Sequence, residues 1–100
     1  MKKKILLLGS TGSIGKSSLN IIRNYKTKLE VIALSTNKNI KLIIKQSKEF
    51  NVKNIIINDF QSYKKILNYG LNKKIRIFNN ISDFLKINKL KFDVTIIGIS

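Results

Sequence analysis

A run of four apolar residues, Ile5 to Leu8, gives way at once to a turn with three glycines and then to a helical pattern, in the stretch KILLLGSTGSIGKSS from Lys4 to Ser18. No other feature restricts the possible folds as much. A strand with one wet face alternates apolar and polar residues, whereas an unbroken apolar run marks a strand buried on both faces of a helix-covered parallel sheet. The glycines divide the work of the turn. Gly9 lets the chain leave the strand through dihedrals that a Cβ obstructs. Gly12 leaves room for a phosphate to approach the backbone, and Gly15 lets the helix pack close to the strand. A helix starting near Ser13 aims unpaired N–H groups and the positive end of its dipole at the turn, and Ser10, Thr11 and Ser13 add hydroxyl donors for phosphate oxygens. The spacing is G-x-x-G-x-x-G rather than G-x-G-x-x-G, so the motif alone is also compatible with a turn that holds no ligand.

The strand–helix alternation continues along the chain. Ile14 to Tyr25 reads as the first helix, with Ile14, Leu19, Ile21 and Ile22 on its apolar stripe. Leu29 to Leu34 is the second strand. Ile40 to Phe50 is a helix with Asn39 as its N-cap, Ile40, Ile43, Ile44, Ser47 and Phe50 inward, and Asn51 closing it. A third strand spans Lys53 to Asn58, and Asp59 caps a helix through Tyr69 with Tyr63, Ile66 and Leu67 inward and Gly70 as its stop. Lys74 to Phe78 is a short, basic edge strand and Asn79-Asn80 a turn. Ser82 then caps a helix from Asp83 to Lys89 that buries Phe84, Leu85 and Ile87, and Phe92 to Ile99 is the last strand, with Asp93 a solvated residue at its start. These segments predict an α/β fold: a Rossmann-like, doubly wound, mostly parallel sheet with helices on both faces. It forms one domain over residues 1–100, incomplete at its C-terminal end. The last strand belongs beside the first, on the side away from the second, with Gly98 at the crevice where dinucleotides lie.

Composition narrows the chemistry. Cysteine and histidine are absent, which removes disulfides, thiolate nucleophiles and the commonest general base and metal ligand. The N-terminal apolar core is only four residues long, so a signal peptide is not expected, and no run is long enough for a membrane span. The net charge of +15 raises the possibility of a small basic nucleic-acid-binding module. Yet lysine supplies 18 of the 20 basic residues and arginine only Arg23 and Arg76, alanine is reduced to Ala33 and proline is missing. That bias suits an AT-rich genome and lysines scattered over helix surfaces better than a patch of arginine and aromatics. No specific nucleic acid and no membrane partner is expected.

The loop after the second strand bears on cofactor choice. An NAD-specific domain usually carries an acid there for the ribose 2′-hydroxyl. Here the residues are Ser35-Thr36-Asn37-Lys38-Asn39, so Lys38 would attract a 2′-phosphate and the polar side chains could hydrogen-bond its oxygens. NADP is favoured over NAD.

The wording LGSTGSIG, within LLLGSTGSIGKSSLNIIR, together with VIALSTNKN at Val31 to Asn39, resembles the N-terminus of the 1-deoxy-D-xylulose 5-phosphate reductoisomerase family. The resemblance is strongest over the first forty positions, and the 100 residues would be about a quarter of such an enzyme. It implies an NADPH-dependent cytoplasmic enzyme of non-mevalonate isoprenoid biosynthesis, which converts its phosphorylated sugar substrate to 2-C-methyl-D-erythritol 4-phosphate. A homodimer and a divalent metal, Mg or Mn, held by residues further along, are implied as well. It also implies that Thr11, Gly12, Ser13, Ile14, Asn37, Lys38 and Asn39 contact the dinucleotide. Asn37 stands where the family commonly has Gly, a departure that asparagine's tolerance of positive φ accommodates. Among Glu30, Glu49, Asp59, Asp83 and Asp93 no two form a sequence-local pair for metal or acid–base work, so no catalytic residue is expected here. Another NADP-dependent dehydrogenase, such as a semialdehyde dehydrogenase, is the alternative enzyme reading.

Overall fold

The computed structural model describes residues 2–87 and 92–98. Strands and helices alternate as β1 (Lys3–Leu8), α1 (Ser13–Arg23), β2 (Leu29–Thr36), α2 (Ile40–Phe50), β3 (Asn54–Ile57), α3 (Phe60–Leu67), β4 (Arg76–Phe78), α4 (Ile81–Ile87) and β5 (Val94–Ile97). The five strands form one sheet in the order β4-β3-β2-β1-β5, every neighbouring pair parallel. The basic edge strand and the place of the last strand beside β1 are as expected. The ends expected at Lys89 and Ile99 lie outside the described residues. No helix among the described residues is long and apolar enough to cross a membrane.

The handedness of parallel crossovers explains the layers. Steps from β1 to β2, β3 and β4 run in one direction, and right-handed connections put α1, α2 and α3 on one face. There Leu19 and Ile22 of α1, Ile40, Ile43 and Ile44 of α2, and Ile66 of α3 pack on Ile5, Leu7, Val31, Leu34, Ile55 and Ile57. The return from β4 to β5 runs the opposite way, so α4 lies on the other face. Phe84 anchors it, fully buried against Leu6, Ile32, Ala33, Ile56 and Phe78. Its ring meets Phe78 edge-on at 5.5 Å between centroids and stacks on Phe92 at 6.1 Å. Such pairs add about 0.5–1.5 kcal/mol beyond the area they bury.

A bulge sets the phase of β2. Ile5 pairs with Val31 but Leu6 with Ala33, so Ile32 is the extra residue. Ile32 and Ala33 therefore point to the same face, and Leu34 returns to the face of Val31. The strand also runs two residues beyond the expected Leu34, which carries Ser35 and Thr36 into the sheet.

Local signals set the helix ends. Asn39 Oδ1 accepts from the Leu42 amide at 3.2 Å and Asp59 from the Ser62 amide at 3.0 Å, so both expected caps hold. Asn51 closes α2 in the left-handed conformation at φ 54°. The cap of α4 is Asn80, not Ser82, because Asn80 Oδ1 accepts from the Asp83 amide at 2.8 Å. Several inward assignments fail: Ile14, Ile21, Leu67, Leu85 and Ile87 are each about half exposed or more. These residues flank narrow stripes, and α3 and α4 rest on a sheet edge and on a face with a single helix, too little surface to cover a second row.

Candidate functional site

The C-terminal ends of β1, β2, β3 and β5 open onto a cleft of about 180 Å³ lined by Leu8, Gly9, Ser35, Thr36, Asn37, Ile56, Asn58, Ile81 and Gly98. It lies where strand order reverses, since β1 leads to β2 on one side and borders β5 on the other. Gly9 turns the chain out of β1 at φ +74°, and a Cβ there would stand 2.0 Å from the Gly98 carbonyl oxygen. A Cβ on Gly15 would stand 2.2 Å from the Gly9 oxygen and 2.5 Å from Ser10 Cα. Both glycines thus do what the sequence suggested: one releases the strand, the other seats α1 against the turn.

Helix α1 differs from α2 and α3 at its start. Its N-cap, Gly12, is extended (φ −82°, ψ −179°) and supplies no side-chain acceptor, and no acid lies in the first turn. The first amides of α1 therefore have no side-chain acceptor at the cap, and the exposed Ser13 and Ile14 stand beside them. This arrangement suits an anionic group and disfavours a cation.

The hydroxyls behave differently from the sequence expectation. Ser10 is fully buried, and its Oγ donates to Gln46 Oε1 at 2.8 Å, so it faces inward rather than toward a phosphate. Ser35 and Thr36, expected to be free for a 2′-phosphate, are buried as well. Ser35 Oγ accepts from the Gly9 amide at 2.9 Å, and Thr36 Oγ1 shares a hydrogen with Thr11 Oγ1 at 2.6 Å. These bonds instead tie the glycine turn to the end of β2. The reason is the extended β2, whose last two side chains lie inside the sheet.

Of the loop residues, Asn37, Lys38 and Asn39 are all exposed. Asn37 is fixed through its carbonyl, which accepts from the Asp59 amide at 3.1 Å, and Asn58 N donates to Thr36 O at 3.0 Å. The loop is thereby pinned to the start of α3. Among the described residues Asn51 is the only non-glycine with positive φ, so the loop needs no left-handed residue at Asn37. Asn39 spends its side-chain oxygen on capping α2 and retains its amide hydrogens. The Asp59 carboxyl is held below the ordinary carboxylate range, first by the Ser62 hydroxyl and amide and then by the charges of Lys38 and Lys65. Asp93 is not simply solvated: its carboxylate accepts from the Lys4 amide at 2.8 Å and its own amide donates to Lys4 O, registering β5 on β1.

Gln46 was absent from the sequence reading. It is buried, with Oε1 accepting from Ser10 Oγ and Nε2 donating to Ser10 O at 3.0 Å. The signal was present, because position 46 follows Ile43 by three and precedes Phe50 by four on the inner stripe of α2. Among the described residues no three of Asp, Glu, His or Cys come together as a metal cluster.

Together the sheet order, the glycine turn and the open helix N-terminus define a Rossmann-type doubly wound α/β unit with an anion-accepting crevice. A model of the 1-deoxy-D-xylulose 5-phosphate reductoisomerase family matches residues 5–100, and the chain belongs to that family. It is 41% identical over 100 residues to the reductoisomerase of Pelagibacter ubique, covering 96% of this chain and 26% of the relative. The Thermoanaerobacter sp. enzyme is 32% identical over 97 residues, covering 97% and 25%. Among solved structures, 1-deoxy-D-xylulose 5-phosphate reductoisomerase from Zymomonas mobilis in complex with NADPH superposes with a TM-score of 0.81 at 26% identity, covering 95% of this chain and 25% of that one. A reductoisomerase in complex with magnesium matches with a TM-score of 0.68 at 27% identity, over 87% and 22% of the two chains. The chain spans about a quarter of the length of the curated relatives it matches.

Proposed function

We propose that these residues are the NADPH-binding part of a 1-deoxy-D-xylulose 5-phosphate reductoisomerase. The observation that carries the reading is the convergence of two segments at the C-terminal ends of the neighbouring strands β1 and β2. The uncapped start of α1 follows Gly9, the acid-free loop Asn37–Asn39 follows β2, and the Thr11–Thr36 hydroxyl pair holds the segments together. In this reading the amides of Ser13 and Ile14 and the Ser13 hydroxyl receive the pyrophosphate, helped by the helix dipole, while Gly12, whose amide donates to Gly9 O at 3.3 Å, leaves room for it. Thr11 orients the turn through Thr36 and offers its backbone. The exposed side chain of Ile14 gains an apolar neighbour in the bound cofactor. Lys38 pairs with the 2′-phosphate, Asn37 and Asn39 donate amide hydrogens to it, and the absence of a carboxylate removes the repulsion that would select NADH.

Bound NADPH supplies the hydride for the reductive step. The residues of this segment bind and orient it. Residues outside this stretch hold the divalent metal and the phosphorylated sugar, 1-deoxy-D-xylulose 5-phosphate, which becomes 2-C-methyl-D-erythritol 4-phosphate. Residues 1–100 are the N-terminal part of one cofactor domain in a cytoplasmic homodimer. The share of each relative that the chain covers supports its being part of a longer enzyme, and the relatives above bear the reductoisomerase name rather than that of a semialdehyde dehydrogenase. The test is a pair of equilibrium titrations with NADPH and NADH. Tighter binding of NADPH supports the reading, and equal or absent binding of both overturns it.

A further inference from the structure

We infer that Gln46 is a positioning residue for the cofactor turn, a brace on α2 that holds Ser10 from behind and so presets the amides of Thr11, Gly12 and Ser13. The inference rests on the NADPH reading above. Ser10 lies between the left-handed Gly9 and Thr11, whose hydroxyl meets Thr36, and nothing of it reaches solvent. Each of its polar groups is paired inside the protein. Its amide donates to Ser35 O at 2.8 Å, its hydroxyl to Gln46 Oε1 at 2.8 Å, and its carbonyl accepts from Gln46 Nε2 at 3.0 Å. One primary amide thus reads both the hydroxyl and the carbonyl of one residue. That geometry fixes the direction of the peptide leaving Ser10, which is the peptide that carries the Thr11 amide.

Among the described residues the Gln46 side chain has no hydrogen-bond partner other than Ser10. Both polar atoms of Gln46 are spent on Ser10, and the residue stands between Ile43 and Phe50 on the inner side of α2. A leucine there would fill nearly the same volume and serve the core as well. It would leave the Ser10 hydroxyl with only the 3.3 Å contact to Ser35 O and the carbonyl with no donor. A buried unpaired carbonyl is expensive, and the cheapest relief is for Ser10 to swing toward water, which carries Thr11 to Ser13 with it. The sheet and helices stay folded while the fraction of molecules with a competent turn falls, and apparent affinity falls in proportion.

The test compares Gln46→Leu, Gln46→Glu, Ser10→Ala and the Ser10→Ala/Gln46→Leu double variant with Ile66→Val, a core substitution of a fully buried residue on α3, remote from the turn. NADPH titrations are run under conditions where every variant is folded by circular dichroism. Gln46→Leu should raise the NADPH Kd at least tenfold, equivalent to about 1.4 kcal/mol. Ser10→Ala, which keeps the carbonyl bond, should raise it less, and the double variant should fall short of the product of the single effects. Ile66→Val should leave the Kd unchanged while lowering the melting temperature. Amide hydrogen exchange without cofactor gives a readout independent of NADPH: exchange at Thr11 to Ser13 should speed up in Gln46→Leu and not in Ile66→Val. If Gln46→Leu does not fold, the near-isosteric Gln46→Glu, measured at a pH where the introduced carboxylate is ionised and so cannot donate to the carbonyl, carries the same expectation. Wild-type Kd and exchange in the Gln46 variants, or losses that merely follow melting temperature as in Ile66→Val, would overturn the inference. Faster exchange in a protein that binds no NADPH would support the brace and sink the cofactor reading instead.

Discussion

Gly9 and Gly70 form a built-in control for the close packing of the crevice. Both take positive φ, at +74° and +66°, so alanine pays a similar left-handed penalty of about 1–2 kcal/mol at either site. They differ in their surroundings. Nothing lies within 4 Å of a Cβ on Gly70, whereas one on Gly9 would stand 2.0 Å from the Gly98 oxygen and 2.8 Å from its carbon. These are backbone atoms of the neighbouring strand end, so no side chain can swing away. Relief requires β1 and β5 to part there, which strains the Gly98 N–H bond to Leu8 O, now 2.7 Å. Overpacking of this kind costs about 1–3 kcal/mol, and loss of a backbone hydrogen bond adds about 1 kcal/mol. Gly9→Ala should therefore destabilise by about 2–4 kcal/mol more than Gly70→Ala, on the same principles. Urea denaturation with unchanged m-values reads the difference directly. Equal losses in the two variants would refute the claim that β5 closes on the turn.

Lys38→Glu should weaken NADPH binding by about 1.5–3 kcal/mol, the scale of a charge-assisted hydrogen bond, with a much smaller effect on NADH; equal losses in paired titrations would remove Lys38 from the 2′-phosphate. Gly12→Val should cost most of the NADPH affinity while leaving the circular dichroism spectrum native, and normal binding would exclude a phosphate at this turn. Because the Asp59 carboxyl titrates below its ordinary range, its contribution is complete above about pH 4 and is lost as pH falls through the depressed value. Stability should fall more in the wild type than in Asp59→Ala between about pH 5 and pH 2, and parallel curves would show that the cap carries no linkage. Binding to a short DNA duplex should be weak, indifferent to sequence and steeply reduced by salt, whereas tight selective binding at physiological salt would contradict the reading of the +15 charge as dispersed lysine.

The architecture was legible because parallel strands, crossover helices and glycine turns follow rules of local sequence. The Ile5–Leu8 run, the caps Asn39 and Asp59 and the left-handed Asn51 each needed only neighbouring residues to be read. Errors arose where the answer depends on distant parts of the chain. Ile21 and Leu85 are as apolar as Ile22 and Phe84, and only the extent of sheet beneath each helix decides which is covered. Asn79, Asn80 and Ser82 all fall at the start of α4, so local preference could not choose Asn80 over Ser82. The extension of β2 through Thr36 has no local signature, and it is what turns Ser35 and Thr36 from expected ligand donors into struts for the turn. Asp93 reads as a surface acid until β1 is placed beside it. At the site, the jobs of Gly9 and Gly15 could be assigned from spacing alone, but the inward orientation of Ser10 could not be seen without Gln46, thirty-six residues away in sequence.

The central claim is that NADPH lies across the glycine turn and the loop after β2. An amide NMR titration with NADPH tests it most directly, because it reports which backbone groups the cofactor touches. The account predicts saturable shifts concentrated at Thr11, Gly12, Ser13 and Ile14 and at Asn37, Lys38 and Asn39, with the opposite end of the sheet around Lys53 and Gly70 unmoved. Shifts confined to that opposite end, or spread evenly over lysine-rich helix surfaces, would contradict it.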